Sequence, residues 1–354
     1  MIIKLEKVIL GKLFIPICFA ILLLSSLIGC AERATTNQVP SSTSFPTSTK
    51  AVKNIDTPIV NSTQRTTLIP SPTSQAIFRG EIAISGHHRV HSSIRLLNLE
   101  NGAIQSVSGM GSGSISWSPD GQWIAFEGGI PGTQRSDIFL IKLEKNEIKR
   151  LTNSSQGETD LNWSPDGRFI VYTYNNHSEP SNLALINIDN GETSLLTATK
   201  GYEHHPVWSP DGRQIAYLYF ENTLPSELWV MDIDSRNSNT LIETPIAFSK
   251  IDWSPDGEWI VFISAENTND CGDIFIVRSD GSDLSRLTNL PGCATDVIWS
   301  PDGEYLAFVG RNKSIMKGWQ IYVIDATGKN IVAVTGEEEL SINDIDWSLT
   351  TFSK

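Results

Sequence analysis

Three residues ahead of six regularly spaced tryptophans stand Ser114, Asp160, His205, Lys250, Asp296 and Asp344. Three carboxylates, an ammonium and an imidazole at equivalent positions can bind a small polar ligand, a peptide terminus or a hard cation such as calcium. His204 adjoins His205 and adds a second imidazole. Paired acids are also what a polysaccharide lyase or glycosidase uses, and a peptidase-like enzyme would draw on the same residues. His87, His88, His91, His177, His204 and His205, the full set of histidines, read as loop residues, where binding groups concentrate on a rigid scaffold. His87 and His91 have a metal-like spacing, but only a helix would bring them to one side, and this segment does not read as helix. No His-Glu-x-x-His, Cys-x-x-Cys, Gly-x-Ser-x-Gly elbow, phosphate-binding Gly-rich loop or dinucleotide fingerprint occurs. The residues therefore favour binding over catalysis, with a secreted hydrolase or lyase as the alternative. No cofactor is expected, beyond the option of a calcium ion.

The elements that position these residues repeat. Trp117, Trp163, Trp208, Trp253 and Trp299 each begin Trp-Ser-Pro-Asp-Gly, a sixth copy decays to Trp347-Ser348-Leu349, and the spacings are 46, 45, 45, 46 and 48 residues. Pro presets φ at the second position of a turn and Gly suits the fourth, so Ser-Pro-Asp-Gly reads as a tight turn. Asp120, Asp166, Asp211, Asp256 and Asp302 recur with the turn and are assigned to it. A β-type run follows each turn: Trp123–Phe126, Phe169–Tyr172, Gln214–Tyr217, Trp259–Phe262 and Tyr305–Phe308. A second run, such as Asp137–Leu143 or Asp273–Val277, and a short final strand ending near Leu151-Thr152, Leu196-Thr197 or Leu287-Thr288 complete the unit. Asp137 and Asp273, at strand starts, read as local hydrogen-bond formers. Four strands in about 46 residues is one propeller blade, and the chain predicts an all-β, six-bladed propeller with four antiparallel strands per blade.

The Trp-Ser-Pro-Asp-Gly, Ile-Ala-Phe and Arg-Leu-Thr elements resemble the repeats of the TolB-like family of six-bladed β-propellers, over essentially all of residues 79–354. The resemblance implies that the Trp-bearing strand is innermost, so that Asp160, His204, His205, Lys250, Asp296 and Asp344 lie at the mouth of a central channel on the long-loop face. It also implies docking of an envelope protein or peptide. Glu81–Ser85 and Ser93–Leu99 resemble strands that normally follow the motif, whereas Ile342–Trp347 is an innermost strand with almost nothing after it. One blade is therefore expected to be closed by strands from both ends of the domain.

Residues 1–29 carry Lys4, Lys7 and Lys12, then an apolar run from Leu13 to Ile28. That run is shorter than the roughly 20 residues a membrane span needs and fits a signal-peptide core. Leu27-Ile28-Gly29-Cys30 resembles the lipobox of bacterial lipoproteins, which implies cleavage before Cys30 and acylation of Cys30. Residues 30–78 follow as the lipidated Cys and a tether: Ser, Thr and Pro make up 22 of the 48 residues from Ala31 to Phe78, too polar a stretch to offset chain entropy. The full chain of 354 residues carries a net −13, and residues 79–354, with 20 Lys plus Arg against 37 Asp plus Glu, carry −17. An acidic balance excludes nucleic acid as the main partner. The expectation is a monomer on the outer side of the bacterial cell membrane or facing the periplasm. Cys271 and Cys293 remain, and in an exported domain two such residues favour a disulfide. Cys30→Ser should abolish acyl labelling and detergent-phase partitioning; retention of both would remove the lipoprotein assignment. Alkylation with and without reductant, read by mass, should show Cys271 and Cys293 reactive only after reduction.

Overall fold

Each letter of the repeated pentapeptide has a local job. In the first copy Gly121 N donates to Ser118 O at 2.8 Å, closing the turn. The Ser118 hydroxyl donates to Asp120 Oδ1 at 2.6 Å and accepts from Trp123 N at 2.9 Å. Asp120 Oδ1 also accepts from Gln122 N at 3.0 Å. The same Ser-centred knot recurs at Ser164, Ser209, Ser254 and Ser300. Hydrogen bonds led by those from the Ser209 and Ser254 hydroxyls hold Asp211 and Asp256 below the usual carboxylate range. The closing glycines have φ of +65° to +74°, a conformation that costs a residue with a Cβ about 1–2 kcal/mol.

The computed structural model describes residues 78–348 apart from 89–90, 112, 131–132, 134, 176–179, 222–225, 247–249, 265–271, 291, 313–317 and 337–340, and apart from the side chains of 87, 88, 91, 243–246 and 312. The described residues form six four-stranded antiparallel sheets and contain no helix. Blade 1 runs, from its inner edge, Asp344–Ser348, Glu81–His88, His91–Asn98, Ile104–Ser108. Blade 2 runs Ile115–Trp117, Trp123–Gly129, Ser136–Lys142, Glu147–Arg150. Blades 3 to 6 repeat this order from inner strands Gly157–Trp163, Tyr202–Trp208, Asp252–Trp253 and Gly292–Trp299. Ring closure is as expected: Glu81–Ser85 pairs antiparallel with Asp344–Ser348.

The outer strands end at Arg150, Leu195 and Arg286, beside the Leu-Thr pairs as expected. The threonines clasp the blade: Thr152, Thr197 and Thr288 accept through Oγ1 from the backbone N of Ile138, Leu183 and Ile274. The Thr152 and Thr197 hydroxyls in turn donate to Glu158 and Glu203. His204 and His205 are strand residues rather than loop residues, because the inner strand of blade 4 starts at Tyr202 and tolerates a bulge at His205-Pro206. His87, His88 and His91 likewise fall in the two strands of one hairpin, Glu81–His88 and His91–Asn98. His177 lies outside the described residues.

Asp137 and Asp273 are the local partners the sequence suggested. Asp137 pairs with Arg150, while Asp273 pairs with Arg286 and accepts from Thr288 Oγ1 and Leu290 N.

The apolar residues divide into six clusters, each lying between two adjacent blades and each holding one motif Trp. Trp163, for example, packs with Ala125, Ile138 and Leu140 of blade 2 and with Ile170 and Tyr172 of its own blade. The Ile-Ala-Phe pattern follows from period-two alternation. Ile124 and Phe126 face the preceding interface with Trp117, whereas Ala125 faces the next one with Trp163. A small residue, Ala83, Ala125, Val171, Ala216, Val261 or Ala307, always meets the indole of the following blade. Ala125→Leu should therefore overpack the interface and cost about 1–3 kcal/mol in denaturant unfolding. Removal of residues 341–354 should lower the melting temperature steeply by opening blade 1; an unchanged melt would contradict closure.

Candidate functional site

The inner strand of each blade pairs on one side only, so its other edge turns backbone N–H groups toward the channel, and buried donors need acceptors. Side chains of the preceding blade supply them. The residue three before Trp reaches the amide two before the next Trp: Ser114 Oγ accepts from Leu161 N at 2.9 Å, Asp296 Oδ2 from Ile345 N at 3.0 Å, and Asp344 Oδ2 from Ile115 N at 2.7 Å. The residue one before Trp reaches the next Trp amide: Ser116 to Trp163, Asn162 to Trp208, Asp252 to Trp299 and Asp346 to Trp117, at 2.7–3.1 Å. Sequence reasoning missed this second tier. Alternation was the available signal, because positions two apart share a face of a strand.

Asp160 breaks the pattern. The amide it would meet belongs to Pro206, which has no N–H to offer. Its carboxylate turns instead to the imidazoles of blade 4, 3.6 Å from His204 Nδ1 and 3.4 Å from His205 Nδ1. Asp160 and His205 both sit in β-bulges with φ of +52° and +51°. Bulges re-aim side chains, and non-glycine residues at positive φ gather at functional sites. The Asp160 side chain is 17% exposed. Burial by itself would raise its pKa, but the charge of His205 and the hydrogen bond and charge of His204 hold it well below the usual carboxylate range.

Lys250 stands just before the inner strand of blade 5. Its Nζ donates to Asp344 Oδ1 at 3.0 Å and to Ile345 O at 2.6 Å. Burial alone would lower its pKa, but Asp344, Asp346 and Asp296 together raise it and hold the ammonium charged. One ammonium is too little for the acids around it. Burial pushes Asp252 up to about 7, and burial with Asp344 pushes Asp296 well above the carboxylate range. Glu127 joins the two groups: its Oε2 accepts from Ser114 N at 3.3 Å, and burial and then Asp160 push it up to about 7. Five of the six expected residues thus carry local contacts in two groups, His204, His205 and Asp160 in one and Lys250 with Asp344 in the other. Asp296 belongs with Asp344 and serves as a strap. Among the described residues, no three of His, Cys, Asp and Glu gather into a group that could hold a metal ion.

An aromatic shelf borders Asp160. Tyr202 and His204 alternate on the inner strand of blade 4, Phe220 pairs opposite Tyr202, and the three rings are parallel to within 11°. Centroids are 5.0 Å apart for Tyr202 and Phe220 and 5.6 Å for His204 and Phe220, and Tyr202 is 40% exposed. Cys293 is disulfide-bonded, and Cys271 lies outside the described residues, as does Cys30.

The fold and the repeat define a β-propeller of the TolB kind. The family profile of the TolB beta propeller domain matches residues 57–208 and 176–348, and the chain belongs to that family. No curated protein matches it. TolB from Acinetobacter baumannii superposes with a TM-score of 0.65 at 16% identity, over 76% of this chain and 66% of its own. The chain thus spans 66% of the length of that TolB. A putative TolB from Agrobacterium tumefaciens gives 0.61 at 21% identity, over 76% of this chain and 98% of its own. A chain of the nidogen/laminin complex gives 0.60 at 12% identity, over 75% and 97%. At these identities the likeness is one of fold.

Glu127 provides a pH test. A carboxyl whose pKa rises on folding binds more protons folded than unfolded, so it lowers stability as pH climbs from its unfolded value toward about 7. Glu127→Gln keeps an acceptor for Ser114 N and removes the charge. The variant should be more stable than the parent at about pH 8, by up to about 3 kcal/mol, with the gain vanishing below about pH 5. Thermal melts across that range measure it.

Proposed function

We propose that this protein is a lipid-anchored, extracytoplasmic binding module that docks a protein or peptide at the loop face of its central channel. The observation that carries the reading is the division of labour among the channel acids. Asp252, Asp296, Asp344 and Asp346 are engaged in strapping blade to blade. Asp160, by contrast, meets a proline where Ser114, Asp296 and Asp344 meet an amide, and its carboxylate is aimed at imidazoles with 17% of the side chain exposed. A charged group released from structural work and held in a strained bulge is a binding group. Membership of the TolB propeller family supports a docking role, and the nidogen/laminin complex contains a chain of similar fold. The lipobox-like Leu27-Ile28-Gly29-Cys30 and the Ser/Thr/Pro-rich stretch support an anchor with a tether outside the cytoplasm.

The test is capture from detergent-solubilised envelope extract by the full chain, compared with Asp160→Asn and His205→Ala variants. These variants leave the straps intact, unlike changes at Asp296 or Asp344. A partner retained by the parent and lost from both variants is the expected result. A partner retained equally by all three would move the docking surface away from the mouth. Turnover of a polysaccharide or peptide panel that disappears in Asp160→Asn would replace binding with catalysis.

A further inference from the structure

The shelf and the carboxylate of blade 4 form one unit through His204. Its ring lies 5.6 Å from Phe220 and 6.4 Å from Tyr202, nearly parallel to both, while its Nδ1 is 3.6 Å from Asp160 Oδ2. A partly exposed aromatic group therefore lies beside an anionic carboxylate. We infer that this is an arginine-binding site, in which a guanidinium from a partner peptide packs against the Tyr202–His204–Phe220 group and directs its N–H fork at Asp160. This deepens the docking reading above and rests on it.

Chemistry selects the ligand class. An anion is repelled by Asp160, by Glu127 behind it and by a domain of net −17. A purely apolar side chain would cover the rings but leave the Asp160 carboxylate desolvated against it. A lysine ammonium is compact and strongly hydrated, whereas guanidinium is planar, weakly hydrated, stacks on aromatic faces and matches a carboxylate with two parallel N–H donors. The shelf and Asp160 together ask for both properties at once. The position of Asp160 also suits the role, since Pro206 leaves it no strap to hold.

Acid should weaken the site. The titratable groups that face Asp160 are His204 and His205 from blade 4 and Glu127 from blade 2, with Thr159 and Thr173 as uncharged neighbours. A protonated Glu127 withdraws negative charge from beside the site.

The experiment is calorimetry or ligand-observed NMR on the full chain with acetyl-Gly-Arg-Gly-amide, its lysine and citrulline counterparts, and a methyl pyranoside. The arginine peptide should bind tightest. The isosteric, uncharged citrulline peptide should bind about ten- to a hundredfold more weakly. Asp160→Asn, a residue that tolerates positive φ, should lose a similar factor, and Tyr202→Ala about two- to fivefold. Both variants should melt like the parent, which separates lost binding from lost folding. Affinity for the arginine peptide should fall as pH drops through about 7, where Glu127 takes up its proton. Equal binding of arginine and citrulline, indifference to Asp160→Asn, tighter binding on acidification, or preference for the pyranoside would each overturn the inference. Capture of an envelope partner that depends on the mouth but not on Tyr202, with no arginine preference, would leave the docking reading standing and remove this one.

Discussion

A ring of blades leaves every inner strand with one edge that no other strand can pair. Those amides turn toward the channel, and at several blades side chains from the blade behind answer them. Ser114, Asp296 and Asp344, three residues before a Trp, and Ser116, Asn162, Asp252 and Asp346, one residue before, are the acceptors that do so. This duty separates two kinds of channel acid that look identical in the sequence. Asp344 and Asp346 bind Ile115 and Trp117 amides and thereby tie the closing blade to blade 2. Asp160, facing Pro206, finds no amide there and turns to the His204 and His205 imidazoles.

The cost of this arrangement is charge confined in a small volume. Asp252, Asp296, Asp346, Asp344, Glu127 and Asp160, from five of the six blades, share the channel with Lys250 and two imidazoles. Removing carboxylates from water is unfavourable unless they are paired or neutralised, so several titrate upward. Much of the acidity that suggests electrostatic recognition is therefore internal. The turn aspartates are a further set, held by serine hydroxyls at the opposite end of each hairpin. What is left is a smaller remainder, in which Asp160, its side chain 17% exposed, stands beside the aromatic rim.

The fold was legible because its strongest constraints are local and repeat. Trp-Ser-Pro-Asp-Gly encodes a complete turn, and one indole per interface makes the blade count readable as a Trp count. Even closure could be read, since the ends of the repeat are complementary. The site was legible only in part. Register placed Asp160, His205, Lys250, Asp296 and Asp344 on the channel, but which of them are spent on straps depends on the residue opposite, 46 or so positions away. Pro206 is visible in the sequence, yet its meaning for Asp160 appears only when the two strands lie side by side. Glu127, Tyr202 and Phe220 come from other strands or from outside the motif, and no spacing rule points to them.

The pairing of Glu81–Ser85 with Asp344–Ser348, sealed by the Trp347 indole donating to Arg79 O across 268 positions, also orders events in time. Blades 2 to 6 are each contiguous in the chain and can assemble as they emerge. Blade 1 cannot: its first three strands are made early and must wait, with an open edge and half an interface, until the last strand has been synthesised. Contacts of such long range are slow to form and leave unpaired strands exposed meanwhile. That delay is harmless only if the waiting edge is kept from other chains, so whatever surrounds the chain while its last strand is being made becomes part of how this ring is completed.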